Sequence, residues 1–372
     1  MWEKMVADKV EGKVSPLHDW HMAHGAEMLW DDGYPWTVHQ GGDPLVEYEA
    51  IRTGAGLLDL FAIFTYEVVG PAAADFIQRT FTNTVAGMKP GDVRYGAFVN
   101  HQGMLMDEGN VYRFAEERFM IMVNAPRAIH QIKSYAEGLD ARVIDRTDDY
   151  CMIGVQGPES EKTLAPLVAG DLSQLKFFHF WPEPTIIAGC RGWVSRTGYS
   201  GEKGYEVWVE TKDALHLWET LVAAGGVPYG VMAVDIARVE AGLLLIYLDF
   251  DLGTVSPWDL SLDRFIKLHP DGVGTEALAA YGKNPPRRLK TLVIEGDQVP
   301  EHQSRVYQGD KQVGIITSPV KSPRFGVISL AIVNSQVAAD GTELEVEIGD
   351  DRVSVVTAPV SIYDPQRRRA RG

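Results

Sequence analysis

The sequence predicts an α+β fold made of two related α+β units followed by a small all-β domain. Two observations carry this. Strand-like and helical patterns run twice in similar order through the first three quarters of the chain. A basic, proline-containing stretch, Lys283-Asn284-Pro285-Pro286-Arg287-Arg288, then reads as a linker into short alternating strands.

The elements follow in order. Leu17 to Leu29 reads as an opening helix with His21 and His24 on one face, and residues 32–42 as a Trp- and Gly-rich loop. Val46 to Thr53 looks helical and ends at Gly54-Ala55-Gly56. Leu57 to Val69 is strand-like. Pro71 to Phe81 is a helix, since Pro71 suits a first turn and Ala74, Ile77 and Phe81 recur at helical spacing. Val93–Asn100 and Met104–Phe114 read as paired strands around Asn100-His101-Gln102-Gly103, followed by a strand over Phe119–Asn124 and a helix over Ala128–Glu137. The second round has a strand at Asp149–Gly154, a helix at Pro158–Leu167, a strand region at Pro184–Arg196, and helices at Asp213–Ala224 and Val234–Ala241. Six strands between Leu289 and Pro359, with turns such as Gln308-Gly309-Asp310, suggest a terminal sandwich or barrel.

Composition narrows the function. A chain of 372 residues with 45% hydrophobic and 23% charged residues can bury a sizeable core and reads as soluble. No apolar run reaches the ~18 residues of a membrane span, and the charged N-terminus MWEKMVADKVEGKVSP does not read as a secretory signal. Cys151 and Cys190, in apolar strand-like segments, read as small buried hydrophobes, so the expected address is cytoplasmic. A net charge of −16 argues against nucleic-acid binding. The basic tail from Gln366 to Gly372 reads as a solvated, frayed end.

The most specific stretch is Arg196 to Glu210, RTGYSGEKGYEVWVE, with Gly198, Gly201 and Gly204 three apart and an alternating strand behind them. Glycines there let backbone approach a ligand, and Glu206 becomes a directed carboxylate suited to two adjacent N–H donors on a flat heterocycle. A dinucleotide fingerprint is excluded because a strand, not a helix, follows the glycines. Neither a Gly-Lys-Ser/Thr phosphate loop nor zinc-type spacing is present.

A series of segments, in unbroken order, resembles the glycine-cleavage T-protein family of folate-dependent aminomethyltransferases and their demethylase relatives. They are Ser15-Pro16-Leu17-His18-Asp19, Arg52-Thr53-Gly54-Ala55-Gly56-Leu57-Leu58-Asp59, Val69-Gly70-Pro71, Thr82-Asn83, Asn100 through Asp107, Val123-Asn124-Ala125, Gln156-Gly157-Pro158 and the glycine motif. Arg238 through Leu243, Ser256-Pro257, Thr317-Ser318, Gly341 through Leu344 and Tyr363-Asp364-Pro365 complete them. The resemblance implies a three-lobed fold: two interlocked α+β lobes over residues 1–282, with about 53–140 as the inserted lobe, a linker at 283–288, and a β lobe over 289–372. They surround a central channel for tetrahydrofolate. It also implies that Glu206 receives the pterin edge, that Asp107 is the catalytic aspartate, with Glu108 its rival on the other strand face, and that Tyr95 and Asn124 line the folate site.

The chain departs from the family at the donor side. Phe61-Ala62-Ile63-Phe64 stands where the family has Ser-His-Met-Gly, Val234 where it has arginine, and Leu243 to Leu252 is unusually apolar. The acidic charge does not favour docking to an acidic lipoyl carrier protein. These points favour a demethylase that moves a methyl group from a small O-, S- or N-methylated donor to N5 of tetrahydrofolate. Phe61, Phe64, Tyr247 and Trp258 are its expected donor pocket, Trp20, Trp30 and Trp36 further candidates for that wall, and Tyr247, His101 or His21 candidate acids. The alternative is the glycine-cleavage aminomethyltransferase step, with an aminomethyl-lipoyl carrier as partner and 5,10-methylenetetrahydrofolate as product. A second alternative, a non-catalytic folate-binding iron–sulfur assembly factor, is disfavoured because Leu244-Leu245-Ile246-Tyr247 replaces its Lys-Gly-Cys-Tyr-type motif.

Overall fold

The computed structural model describes residues 14–31 and 34–372; the N-terminal stretch read for a signal lies largely outside them, as do Asp32 and Gly33 of the expected loop. The described chain opens with α1 (His18–Ala23), β1 (Glu27–Asp31), β2 (Tyr34–His39), α2 (Pro44–Thr53) and β3 (Gly56–Asp59). A five-stranded antiparallel sheet follows: β4 (Phe64–Val69), β5 (Val93–Val99), β6 (Leu105–Ala115), β7 (Arg118–Val123) and β8 (Arg142–Asp145), with α3 (Ala73–Thr80) and α4 (Pro126–Ser134) between its strands. Their spatial order is β5-β6-β7-β4-β8.

The chain then returns. β9 (Tyr150–Gln156) pairs antiparallel with β3, so the five-stranded sheet is inserted between two strands that neighbour each other in another sheet. α5 (Ser160–Leu164), β10 (Thr185–Ile187), β11 (Cys190–Ser195), β12 (Gly204–Glu210), α6 (Ala214–Ala223), β13 (Val227–Pro228) and α7 (Val231–Ala241) complete that lobe, whose six strands run β10-β11-β12-β9-β3-β13. After α8 (Thr275–Gly282), β14 (Arg287–Ile294), β15 (Arg305–Gln308), β16 (Lys311–Ser322), β17 (Gly326–Asn334), β18 (Glu343–Ile348) and β19 (Asp351–Ala358) close into a barrel, not a sandwich.

Local chemistry explains most boundaries. Asp43 caps α2 by accepting from the Leu45 N–H at 2.9 Å, with Pro44 in the first turn. The inserted sheet and the barrel share one apolar core: Phe76, Ile77, Phe98 and Ile121 cluster with Leu289, Ile328 and Leu330. The six-stranded sheet buries Val155, Val194 and Val207 against Leu217, Trp218 and Leu221 of α6.

Five expectations change. The opening helix stops at Ala23, and residues 34–39, read as loop, form β2, because Met28-Leu29 and Trp36-Thr37 pair across a hairpin. Leu57 to Val69 is two strands in different sheets. Arg287 and Arg288, read as linker, begin β14. The basic tail folds back: Arg196 Nη2 donates to the carbonyls of Ala370 and Arg371 at 3.2 and 3.0 Å. No helix among the described residues is long and apolar enough to cross a membrane.

Candidate functional site

The lobes enclose a cavity of about 690 Å3 whose wall is built from β6, β12, the segments after α7 and the C-terminal tail. Two strands supply its polar groups. On β6 the two-residue period turns Glu108, Asn110 and Tyr112 to the cavity. On β12 it turns Gly204 and Glu206 there. Tyr112 bridges the two sheets, its hydroxyl donating to Glu206 Oε2 at 3.5 Å. Thr197 donates to the same oxygen. Glu206 Oε1 accepts from no described residue, and burial raises the carboxyl above its ordinary range.

The glycines of the motif have a reason beyond ligand approach. A Cβ at Gly198 or Gly204 would lie 2.1 or 2.4 Å from Gln156 Oε1. Gln156 is buried behind the motif, donating to the Tyr205 carbonyl at 3.1 Å and accepting from Ser200 Oγ at 2.8 Å. The glycines admit the side chain that ties the bend to β12. All three also line the cavity.

Asp107 does not face this cavity. It is fully buried on the opposite face of β6, accepting the backbone N–H groups of Glu108, Asn124 and Ala125 at 2.8, 3.1 and 2.7 Å. Three such donors make it a brace between β6 and the end of β7. The cavity-facing carboxylate is its rival, Glu108. Asn124 Nδ2 donates to Glu108 Oε1 at 3.2 Å and to its carbonyl at 2.9 Å. Burial pushes Glu108 up to about 7, against a lowering hydrogen bond from Tyr95. Tyr95 is raised in turn by burial and by the Glu108 charge. Tyr95 and Asn124 line the cavity and hold the carboxylate next to Asp107 in sequence.

Of the residues expected at a donor pocket, Phe61, Phe64 and Tyr247 line the cavity, with Ile63, Val234 and Leu244 beside them. Trp36 joins them through a ring contact to Phe61 with centroids 5.3 Å apart. Trp258 does not line it: its indole N–H donates to the Leu278 carbonyl at 2.9 Å, which fastens it to α8. Trp20 and Trp30 are also absent from the wall. Of the candidate acids, Tyr247 and His21 reach the cavity and His101 does not. His21 is buried, its Nε2 3.4 Å from Asp59 Oδ2. His24 lies outside, stacked on Trp20.

Sequence reasoning missed the charges that frame the site. Arg238 is fully buried, bonded to Asp235 at 2.7 Å, Asp249 at 2.5 Å and Ser318 of the barrel at 2.6 Å. Arg52 donates to Glu240 at 2.7 Å, to the Ser200 carbonyl at 2.8 Å and to the Ala237 carbonyl at 3.0 Å. Arg367, read as part of a solvated end, lines the cavity; burial and the nearby Arg264 push it down to about 10.

Two family models match the chain in order. The GCVT N-terminal domain covers residues 17–270, and the glycine cleavage T-protein C-terminal barrel domain covers residues 287–364. The chain belongs to the glycine-cleavage T-protein family. Among the T-protein relatives, an aminomethyltransferase of Streptomyces coelicolor is 36% identical over 337 residues, covering 87% of this chain and 90% of the relative. One from Bacillus subtilis is 31% identical over 362 residues, covering 94% and 99%. The crystal structure of glycine cleavage system aminomethyltransferase T from Bartonella henselae has the same fold, with a TM-score of 0.88 at 24% identity over 95% of this chain and 99% of that one.

As a T-protein family member the chain is a tetrahydrofolate-dependent one-carbon transferase. The cavity suits a pterin: its walls are largely apolar, and Glu206 offers an oxygen with no partner among the described residues for a donor edge.

Proposed function

We propose that this enzyme moves an aminomethyl carbon to tetrahydrofolate, with Glu206 holding the pterin and Glu108 handling the proton. Support for the carbon comes from relatives that carry the name aminomethyltransferase over nearly the whole chain. Support for the residue roles comes from one observation: Glu108 and Glu206 are the buried carboxylates of β6 and β12 on the same cavity, and Tyr112, on the same face of β6 as Glu108, donates to Glu206. The partner in this reading is an aminomethyl-lipoyl carrier protein, and the setting is the cytoplasm.

The residues divide the work. The Glu206 carboxylate accepts the adjacent N3–H and 2-amino hydrogens of the pterin, a two-point contact that fixes its plane. Thr197 and Tyr112 hold the carboxylate in place. Folate supplies the nucleophilic nitrogen. Bonds from the carbon to folate N5 and N10 form as its bonds to the amino nitrogen and the lipoyl sulfur break. Glu108, whose carboxyl sits at about 7, takes up the proton released at one folate nitrogen and returns it to the leaving amine, and the proton of the other nitrogen goes to the lipoyl thiolate. Tyr95 and Asn124 keep its oxygens oriented. Alignment of donor carbon and nitrogen in the cavity supplies much of the acceleration.

A second reading, methyl transfer from a small O-, S- or N-methylated donor to give 5-methyltetrahydrofolate, is favoured by the donor wall. Phe61, Ile63, Phe64, Val234 and Leu244 present apolar surface there, and aromatic faces suit a sulfonium or ammonium methyl donor. Incubation of the enzyme and tetrahydrofolate with each class of donor, with the folate product weighed by mass spectrometry, separates the two. A methylene product with the carrier supports the first; a methyl product with a small donor replaces it.

A further inference from the structure

We propose that Asn110 reads the N1/N8 edge of the pterin and makes the cavity selective for reduced folates. This rests on the orientation proposed above, in which Glu206 takes N3–H and the 2-amino group.

Asn110 lies on β6 between Glu108 and Tyr112, two residues from each, so the three side chains form a row on the cavity face. The Tyr112 end of the row touches Glu206. The Glu108 end holds the acid–base group. Asn110 sits where the ring between those ends must lie. Its neighbours across the sheet are Tyr95 on β5 and Met122 on β7. Neither pairs with it: Asn110 Oδ1 is buried with no hydrogen-bond partner among the described residues, and its Nδ2 donates to none of them. A buried carbonyl oxygen left unpaired costs roughly 1–3 kcal/mol, a cost that a ligand with the right edge removes.

The pterin supplies that edge. Held by N3–H and the 2-amino group, the ring presents N1 and N8 next to them. In tetrahydro- and dihydropterins N8 carries hydrogen, so the edge is one acceptor beside one donor. A carboxamide matches it, Nδ2–H to N1 and Oδ1 to N8–H. In the fully oxidised ring N8 is a bare acceptor, and Oδ1 faces a lone pair.

The test is anaerobic calorimetry with 5-formyltetrahydrofolate, which keeps N8–H, and with folic acid, which lacks it. Wild type, Asn110→Leu and Glu206→Ala are compared. Asn110→Leu is expected to weaken the reduced ligand about tenfold or more and to change folic acid by less than about threefold. Equal losses for both ligands, or no loss for either, overturn the proposal. Glu206→Ala is expected to weaken both; if it weakens both while Asn110→Leu leaves their ratio unchanged, only the Asn110 assignment fails. If Glu206→Ala changes neither, the orientation fails and takes the edge assignment with it. Should the leucine variant not fold, Asn110→Ala gives the same readout.

Discussion

At the scale of the residue, two adjacent carboxylates on one strand have opposite fates. Asp107 spends its oxygens on three backbone donors, and Glu108 faces the cavity. The proposed proton transfer makes Glu108→Gln cost at least ~100-fold in kcat. The wild-type rate should rise with pH through about 7, where Glu108 ionises, and the variant should lack that limb. A stopped-flow pH series checks both. Stability runs the other way. A carboxyl raised from 4.5 to about 7 favours the protonated folded state, so its contribution is intact below about 4.5 and is lost as pH rises to about 7. Near pH 8, Glu108→Gln should therefore raise apo-enzyme stability by up to about 3 kcal/mol, read by urea unfolding, with the gain gone in acid. Glu206→Ala should weaken tetrahydrofolate binding at least tenfold, about 1.4 kcal/mol, by calorimetry. The Glu206, Tyr95 and Asn124 positions at the cavity were legible from motifs. The choice between Asp107 and Glu108 was not, because strand alternation says only that they face opposite ways, and the three backbone donors that claim Asp107 come from residues brought together by the β6–β7 pairing.

At the scale of the element, β6 and β12 act as rigid rulers, and the loop before β12 is held by a residue on another strand. Periodicity in the sequence exposed both strands and the β5–β6 hairpin. It misread the opening helix, since Glu27 to Leu29 has apolar residues compatible with either period and only pairing with β2 decides between them. It also left the glycine motif half explained. Gln156 is forty residues upstream of Gly198 in round terms, and nothing local announces that its side chain fills the space over Gly198 and Gly204. Gly204→Ala should accordingly cost about 1–3 kcal/mol by thermal unfolding. Combining it with Gln156→Ala should cost less than the sum of the single changes, because the second removes the clash made by the first.

At the scale of the whole molecule, the cavity exists because three lobes meet, and buried charge joins them. Glu240 on α7 accepts from Arg52 and Tyr48 on α2 and from Ser322 on the barrel strand β16. Arg52→Met leaves Glu240 without its cation in a fully buried setting, and should destabilise the fold by roughly 3–5 kcal/mol in denaturant titration. Arg52 and Glu240 belong to motifs visible in the sequence, yet their partnership spans about half of the chain and depends on how the lobes close. The tail was misread for the same reason: seven residues rich in arginine look solvated until Arg196 and the cavity mouth are placed beside them. The residues proposed for the acceptor side stand in continuous motifs, whereas the proposed donor wall is assembled from Phe61 to Phe64, Val234 and Leu244, which share no sequence pattern. In the proposed reaction carbon leaves a donor and arrives on tetrahydrofolate in this cavity. The most direct measurement is a single turnover with a carbon-labelled aminomethyl-lipoyl carrier, following the label by mass. Labelled 5,10-methylenetetrahydrofolate is expected from the wild type, with a strong loss of it in Glu108→Gln; label that stays on the carrier in the wild type, or a variant as fast as the wild type, would overturn the proposed transfer.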